Sequence, residues 1–331
     1  MSPLGARSKR IFLSLARISG TVMAVVVALV WALRQPALGV IPFSGERRAD
    51  PRILETHVRF LASAEQSRCA DNSAGMDRAA AYITDALRRT GARISEQPYQ
   101  AGGLQAKNLI ADFGPAGGSR IIIGAHYDVY GDLPGADDNA SGVAGILELA
   151  RLMEHQALKS PVEIVAFSTE EPPFFGTPEM GSAMHAKALA EAKVGVRAMI
   201  SLEMIGYFSD TQPNQNPLLH LLYPRHGRFI ALVGRWADRD LARVAKRCFR
   251  GATTVQAVSY SGPVSLGSDL SDQRNYWARG YSGLMITDTA FMRNLNYHGP
   301  DDTADRLDYG RMAGVVDGVF NTVVHLANGP R

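Results

Sequence analysis

The chain has 331 residues, 46% hydrophobic and 20% charged, which suits a globular protein with one large α/β domain or two smaller ones. Its pI of about 8.9 raises the question of an acidic partner such as nucleic acid, but the charge distribution answers it. Residues 1–49 carry Arg7, Lys9, Arg10, Arg17, Arg34, Arg47 and Arg48 against Glu46, a balance of +6 in a chain of +3 overall, so the remainder is −3; no basic stripe with interleaved aromatics appears, and nucleic-acid binding is not expected.

The first element is a targeting segment. Val22 to Leu33 (VMAVVVALVWAL) is uninterrupted apolar sequence. Counted from Ile18, the run gives roughly 24 Å of helix, short of the ~30 Å hydrocarbon core. Starting at Ser14 and letting Arg17 snorkel closes the gap. Cations precede the run, so the positive-inside rule puts the N-terminus in the cytoplasm and the body outside. Residues 1–34 are therefore expected to be an uncleaved membrane anchor. Ala37-Leu38-Gly39 loosely fits a cleavage site, which leaves open a signal peptide and a secreted protein. A buried core helix is the third reading, and such helices rarely open a chain behind four cations.

Residues 35–51 (QPALGVIPFSGERRADP) read as an irregular linker, and residues 52–331 as the folded body. Within it Met76, Ala79, Ala80, Ile83, Ala86 and Leu87 recur at helical spacing, with Gly91 as a stop. Short apolar runs follow at Asn108–Phe113, Arg120–Ala125, Val162–Phe167, Ala198–Leu202 and Gly283–Ile286. Helical patterns occupy Ala140–Met153, Met180–Ala192, Phe229–Cys248, Ser271–Ala278 and Arg311–Leu326. This alternation predicts a mostly parallel sheet covered by helices on both faces. Gly206–His226 and Val258–Asp269 read as long irregular segments, equally compatible with functional loops and plain surface excursions. Cys69 and Cys248 are the only cysteines, and their spacing leaves a disulfide open.

Three of the apolar runs end in groups that carry chemistry. Ile121-Ile122-Ile123 leads into Gly-Ala-His126-Tyr-Asp128; Val162–Phe167 leads into Ser-Thr-Glu170-Glu171; Ala198–Leu202 leads into Glu203. In open α/β sheets ligands collect beyond the carboxyl ends of strands, so these side chains are expected at one edge. Pro134-Gly-Ala-Asp137-Asp138-Asn139 opens a helix, where a carboxylate is favoured, although plain N-capping by Asp138 or Asn139 explains the same residues. His298 stands alone among turn formers in NYHGPDDT, and taken singly it is a surface histidine. Together, two imidazoles and three carboxylates form an N/O set suited to zinc or a similar ion. Five such side chains serve two metals if one carboxylate bridges. Consecutive glutamates point in different directions, so one can hold metal while the other faces a reacting water. A solvated acidic pair is the alternative, and it fits poorly straight after a buried-looking strand.

The strings GAHYDV, PGADDNASG, STEEPPFFGT with MGS after it, SLEMIG, SDQRNYW and NYHGPDDT occur in this order across roughly residues 52–326. In this the chain resembles the co-catalytic two-zinc aminopeptidases, which include bacterial leucyl-type aminopeptidases and relatives of plasma glutamate carboxypeptidase. The resemblance implies a three-layer α/β sandwich with a central mixed, mostly parallel sheet, two Zn2+ ions per chain, and hydrolysis of peptides with a free N-terminus. It puts His126 and Glu203 on one metal, Glu171 and His298 on the other, and Asp138 between them. Glu170 would activate the bridging water, Asp128 would orient His126, and Tyr297 would stabilise the oxyanion. Asp302 also matches a family position, without an assigned role. Glu203 departs from the more frequent Asp, and Gln273 from a common His. His57, His155, His185, His220, His226 and His325 match no ligand position. Carboxypeptidase activity, a glutaminyl cyclase-like acyltransferase using one metal, and a non-catalytic peptidase-like ectodomain are the rival expectations.

Overall fold

The computed structural model of the chain describes residues 3–217, 219–264 and 267–329, with side chains from Arg17 onward. Helix α1 (Pro3–Arg34) is followed by irregular backbone to Asp50 and then α2 (Pro51–Leu61) and α3 (Ser73–Arg88). Pro51 opens α2, where a missing N–H costs nothing, and the Asp50 carboxylate accepts from the Arg52 N–H. Strands β1 (Arg93–Ala101), β2 (Leu104–Phe113) and β3 (Arg120–His126) come next, then α4 (Gly142–Met153), β4 (Val162–Phe167), α5 (Gly181–Glu191) and β5 (Val196–Glu203). The chain closes with β6 (Phe229–Arg235), α6 (Arg239–Ala252), β7 (Gln256–Gly262), α7 (Gln273–Trp277), β8 (Gly283–Thr287) and α8 (Tyr309–Asn328).

The eight strands form one sheet in the order β1-β2-β4-β3-β5-β8-β6-β7. Strands β4, β3, β5 and β8 run parallel at its centre, while β1, β2 and β6 pair antiparallel with a neighbour. Both faces are covered. Ile121, Ile123 and Ala125 of β3 join Ile200 and Leu202 of β5 in the main core beneath α2, α3, α4, α6 and α8. Ile122, Val165, Phe167 and Met199 alternate to the other face, against Ala186 and Leu189 of α5 and Tyr276 of α7. Gly124 lies under the Phe167 ring, where any Cβ would strike the aromatic carbons. The three-layer α/β expectation thus describes the molecule.

Two elements differ from the sequence reading. Phe229–Cys248 is not one helix: Phe229–Arg235 is the buried strand β6, and the helix begins at Arg239. Asp238 reverses the chain by accepting from the Arg235 backbone N–H at 3.2 Å and its Nε at 2.9 Å. A strand buried on both faces lacks the alternation that distinguishes it from a helix. Likewise Val258–Gly262, expected in a loop, lies in β7, which pairs parallel with β6. Cys69 and Cys248 are both free thiols.

Candidate metal centre

Strand β3 sits between β4 and β5, so the chain leaves it first to one side and later returns on the other. That is a topological switch point, and the crevice beyond the carboxyl ends of the three strands is where an open α/β sheet places its ligands. His126 is the last residue of β3, Glu203 the last of β5, and Glu170-Glu171 follow β4 by three and four residues. All four side chains are buried.

Asp138 reaches the same crevice from the segment Ala136–Ser141 between β3 and α4. Asp302 holds that segment in place, accepting the backbone N–H groups of Asp137 and Asp138 at 3.0–3.1 Å. Capping falls to Asn139, whose Oδ1 accepts from Gly142 N and Met204 N while its Nδ2 donates to the Leu202 carbonyl. Asp138 is thereby left free to face the histidines. One of its oxygens lies 3.4 Å from His126 Nε2 and the other 3.1 Å from His298 Nε2. Glu203 Oε2 is 3.5 Å from His126 Nε2, and Glu171 Oε2 is 3.3 Å from His298 Nε2.

The donors fall into two groups that share Asp138: His126, Asp138 and Glu203, then Asp138, Glu171 and His298, with ligand atoms within 4.8 Å of one another in each. Glu170 belongs to neither, although it joins His126 and Glu171 in a third cluster, with Oε2 at 3.9 Å from His126 Nε2. Asp128, expected to orient His126, stands with Oδ1 3.5 Å from its Nδ1. Its two oxygens accept the backbone N–H groups of Glu170 and Glu171, at 3.1 and 3.0 Å, and so aim both glutamates. The buried Arg68 guanidinium binds the carbonyls of Tyr127, Pro134 and Gly135, tying β3's exit to the Asp138 segment. Thr169, Met204 and His298 all adopt positive φ, of 56°, 52° and 54°. Such backbone is costly outside glycine, and here it coincides with three of the turns that aim the ligand candidates.

Several neighbours were not legible in the sequence. Ser271 Oγ donates to Glu203 Oε2 at 2.6 Å. The ring of Tyr130 stacks on His298 at a centroid distance of 4.3 Å, on the site that the sequence-named Tyr297 also lines at 3.8 Å. No sequence pattern signals contacts across such separations. His185, which matches no ligand position, lies elsewhere, paired with Glu163 at 3.1 Å and Tyr276 at 2.6 Å.

The charges show what the site is suited to hold. Burial opposes a proton on His126, yet Glu203, Glu170, Asp128 and Asp138 outweigh it and hold its pKa well above the imidazole range. His298 likewise rises to about 9: burial works against it, and Asp138 and Glu171 prevail. Burial, reinforced by Asp138, lifts Glu171 to about 7. Glu170 is driven well above the carboxylate range by burial; His126 pulls against this, and Glu203, Glu171 and Asp272 add to it. Both ring nitrogens of His126, Nε2 of His298 and Oε1 of Glu171 are buried without a hydrogen-bond partner. Orphaned imidazole and carboxylate atoms converging in this way are a donor set for a divalent cation, which would supply the positive charge that protons supply otherwise. The residues fit zinc.

The model of peptidase family M28 matches residues 108–323. The Escherichia coli protein YfbL, described as uncharacterized, is 46% identical over 298 residues, covering 86% of this chain and 91% of that one. A probable aminopeptidase of Saccharomyces cerevisiae, YDR415C, is 27% identical over 222 residues, 63% of this chain; the match spans about half (53%) of the yeast protein. Among solved structures, the Legionella pneumophila aminopeptidase LapA superimposes with a TM-score of 0.70 at 21% identity, over 86% of this chain and 73% of its own.

Proposed function

The chain belongs to peptidase family M28, and from that premise we propose that it is a zinc-dependent exopeptidase that removes N-terminal residues from peptides. The observation that carries this reading is the shared position of Asp138, one oxygen turned to His126 and the other to His298. His126 and Glu203 are assigned to one ion, Glu171 and His298 to the second, and Asp138 to both. Zinc bound there supplies Lewis acidity toward a peptide carbonyl and makes a water acidic enough to attack at neutral pH.

The remaining steps belong to the chain's own residues. Glu170 is assigned as general base: it lies beside the ligand groups, is not needed by either, and its backbone is fixed by Asp128. It accepts the proton of the attacking water and returns it to the leaving amine. Tyr297 is assigned to the oxyanion. Burial, with Asp138 and Glu171 nearby, pushes its pKa far up, so the hydroxyl keeps its proton and can donate it in a hydrogen bond. The crevice is dominated by carboxylates, which favours a cationic substrate α-amine over a C-terminal carboxylate. The name of the yeast relative points the same way.

Helix α1 is the membrane anchor in this reading. Its Arg17–Arg34 stretch has a mean hydropathy of 1.6 and no fully buried residue; only its last turns touch the body. The catalytic domain then lies outside the cytoplasm, as the cations ahead of the span require. Sequencing the mature N-terminus separates an anchor beginning at Met1 from a secreted protein beginning near Val40.

The central test pairs leucine p-nitroanilide hydrolysis with metal analysis of the same sample. Two zinc ions per chain, with activity lost on chelation and restored by zinc, are expected. Full activity in a metal-free sample would overturn the reading. One ion per chain, with cyclisation of N-terminal glutamine, would instead favour a cyclase.

A further inference from the structure

The anchor does not hang from the body on a loose tether. Among the described residues β7 ends the sheet, with β6 on one side and no strand on the other, and the C-terminal turns of α1 pack against it. Ser259 Oγ of β7 donates to the Arg34 carbonyl at 2.5 Å. The buried Lys246 Nζ of α6 donates to the carbonyls of Arg34 and Gln35, at 2.9 and 3.1 Å. The Arg243 guanidinium lies 5.0 Å over the Trp31 ring, Arg250 donates to the Ala37 carbonyl, and Ile41 N donates to the Arg247 carbonyl at 3.0 Å. The end of the apolar helix and the residues after it are thus clamped onto α6 and β7.

The surface so placed is strongly basic. Arg239, Arg243, Lys246, Arg247 and Arg250 fall within about 100° of the α6 helical wheel, while Ala242, Ala245 and Phe249 turn into the core. Arg243 pairs with Asp240 at 2.9 Å, but among the described residues no carboxylate lies within ion-pair reach of the exposed Arg239, Arg247 or Arg250. Burial is the main reason that the Lys246 pKa falls to about 8, with Arg250 and Arg34 close by adding to it. Beside the stripe, Leu38 is 91% and Val40 55% exposed. An amphipathic helix usually turns its charges to water alone. Here the stripe adjoins the last turn of a span, and Ile41, seven residues past Arg34, reaches at most ~25 Å from it.

We propose that the arginine stripe of α6, together with Leu38 and Val40, seats the body on the anionic headgroup surface of the membrane that α1 enters. The proposal rests on the reading of α1 as a membrane span. Headgroup phosphates satisfy guanidinium groups that lack carboxylate partners, and the two apolar side chains enter the interfacial layer. Helix α1 approaches the body from the sheet end opposite the candidate metal centre. Strand β6 runs antiparallel to β8 and β7 parallel to β6, so the ligand-bearing edge of the sheet corresponds to the Gln256 end of β7. Helix α1 meets the other end, where Leu33 packs by Gly262.

The test uses the full chain in nanodiscs of phosphatidylcholine alone or with one-third phosphatidylglycerol. Leu38→Cys in a Cys69→Ser background carries a bimane label, read by quenching from nitroxide lipids. Quenching is expected to be at least about twofold stronger in the anionic discs. It should fall to the zwitterionic level in about 0.5 M salt, where the Debye length is ~4 Å, and in the Arg239→Gln/Arg247→Gln double variant. Arg239→Glu, a charge reversal at one site of the stripe, gives a second variant. Equal quenching in both lipid mixtures, or quenching that survives these variants, overturns the seat. Failure of the span itself is read separately, as protein that alkaline carbonate strips from membranes.

Discussion

Ser271 Oγ donates a 2.6 Å hydrogen bond to Glu203 Oε2, and Ser201 Oγ lies 2.9 Å behind it. Glu203 stands where the resembling family more often has Asp, and the longer arm brings one more rotatable bond. The serine pair removes that freedom, because a carboxylate held by a buried hydroxyl presents its remaining lone pairs in one direction.

Ser271→Ala should therefore weaken one zinc site and spare the other. A loss of roughly 10–100-fold in affinity is expected at the His126/Glu203 site, measured by competition with a chromophoric chelator. The Glu171/His298 site should keep its affinity. In a Glu203→Asp background the shorter arm withdraws from Ser271, so adding Ser271→Ala should cost little more. Full, additive losses in that cycle would show that the hydrogen bond does not act through the ligand.

The neighbouring glutamates should fail for different reasons. Glu170→Gln keeps size and hydrogen bonding but cannot accept a proton, so kcat should fall by about 10²–10⁴-fold with zinc content unchanged. Glu171→Gln removes an anionic ligand, so zinc content should fall and excess zinc should restore part of the activity. Equal metal loss in both variants would refute the division of roles.

Zinc uptake should strengthen as pH rises. In the metal-free protein His298 is held at about 9, because Asp138 and Glu171 outweigh its burial, and burial lifts Glu171 to about 7. Both groups are protonated at low pH and must lose their protons to bind. Affinity should climb through pH 6–9, by up to about tenfold per unit for each proton released, and level off above. Calorimetry in buffers of different ionisation enthalpy counts those protons; uptake without proton release would contradict the assignment. Conversely, the metal-free fold gains stability from charged His298 at low pH and loses it as pH rises through about 9.

Removal of the anchor should spare catalysis but not all of the stability. A chain beginning at Gln35 retains one carbonyl for Lys246, whereas one beginning at Ile41 loses both and uncovers more of β7. Hydrogen bonds to a charged group contribute about 1.5–3 kcal/mol, so the shorter chain should melt roughly 3–8 °C lower. Equal melting temperatures would show that the clamp is not stabilising.

The sequence by itself determined which side chains gather at one edge of the sheet. A histidine or glutamate straight after an apolar run is a local pattern, and parallel strands in one sheet bring such run ends together whatever the rest of the chain does. Three-layer architecture was legible for the same reason, since the alternation of runs and helical patterns is also local. Strand β6 was not: Phe229–Arg235 is buried on nearly every residue, so its apolar positions merged with the helix that follows. Ser271 on Glu203, Tyr130 on His298, Asp302 under Asp138 and α1 across β7 each join residues far apart in the chain. Only the tertiary structure decided these. A hydroxyl, a ring or a carbonyl acquires its role from what folding places within 3–4 Å of it, and no spacing in the chain encodes that distance.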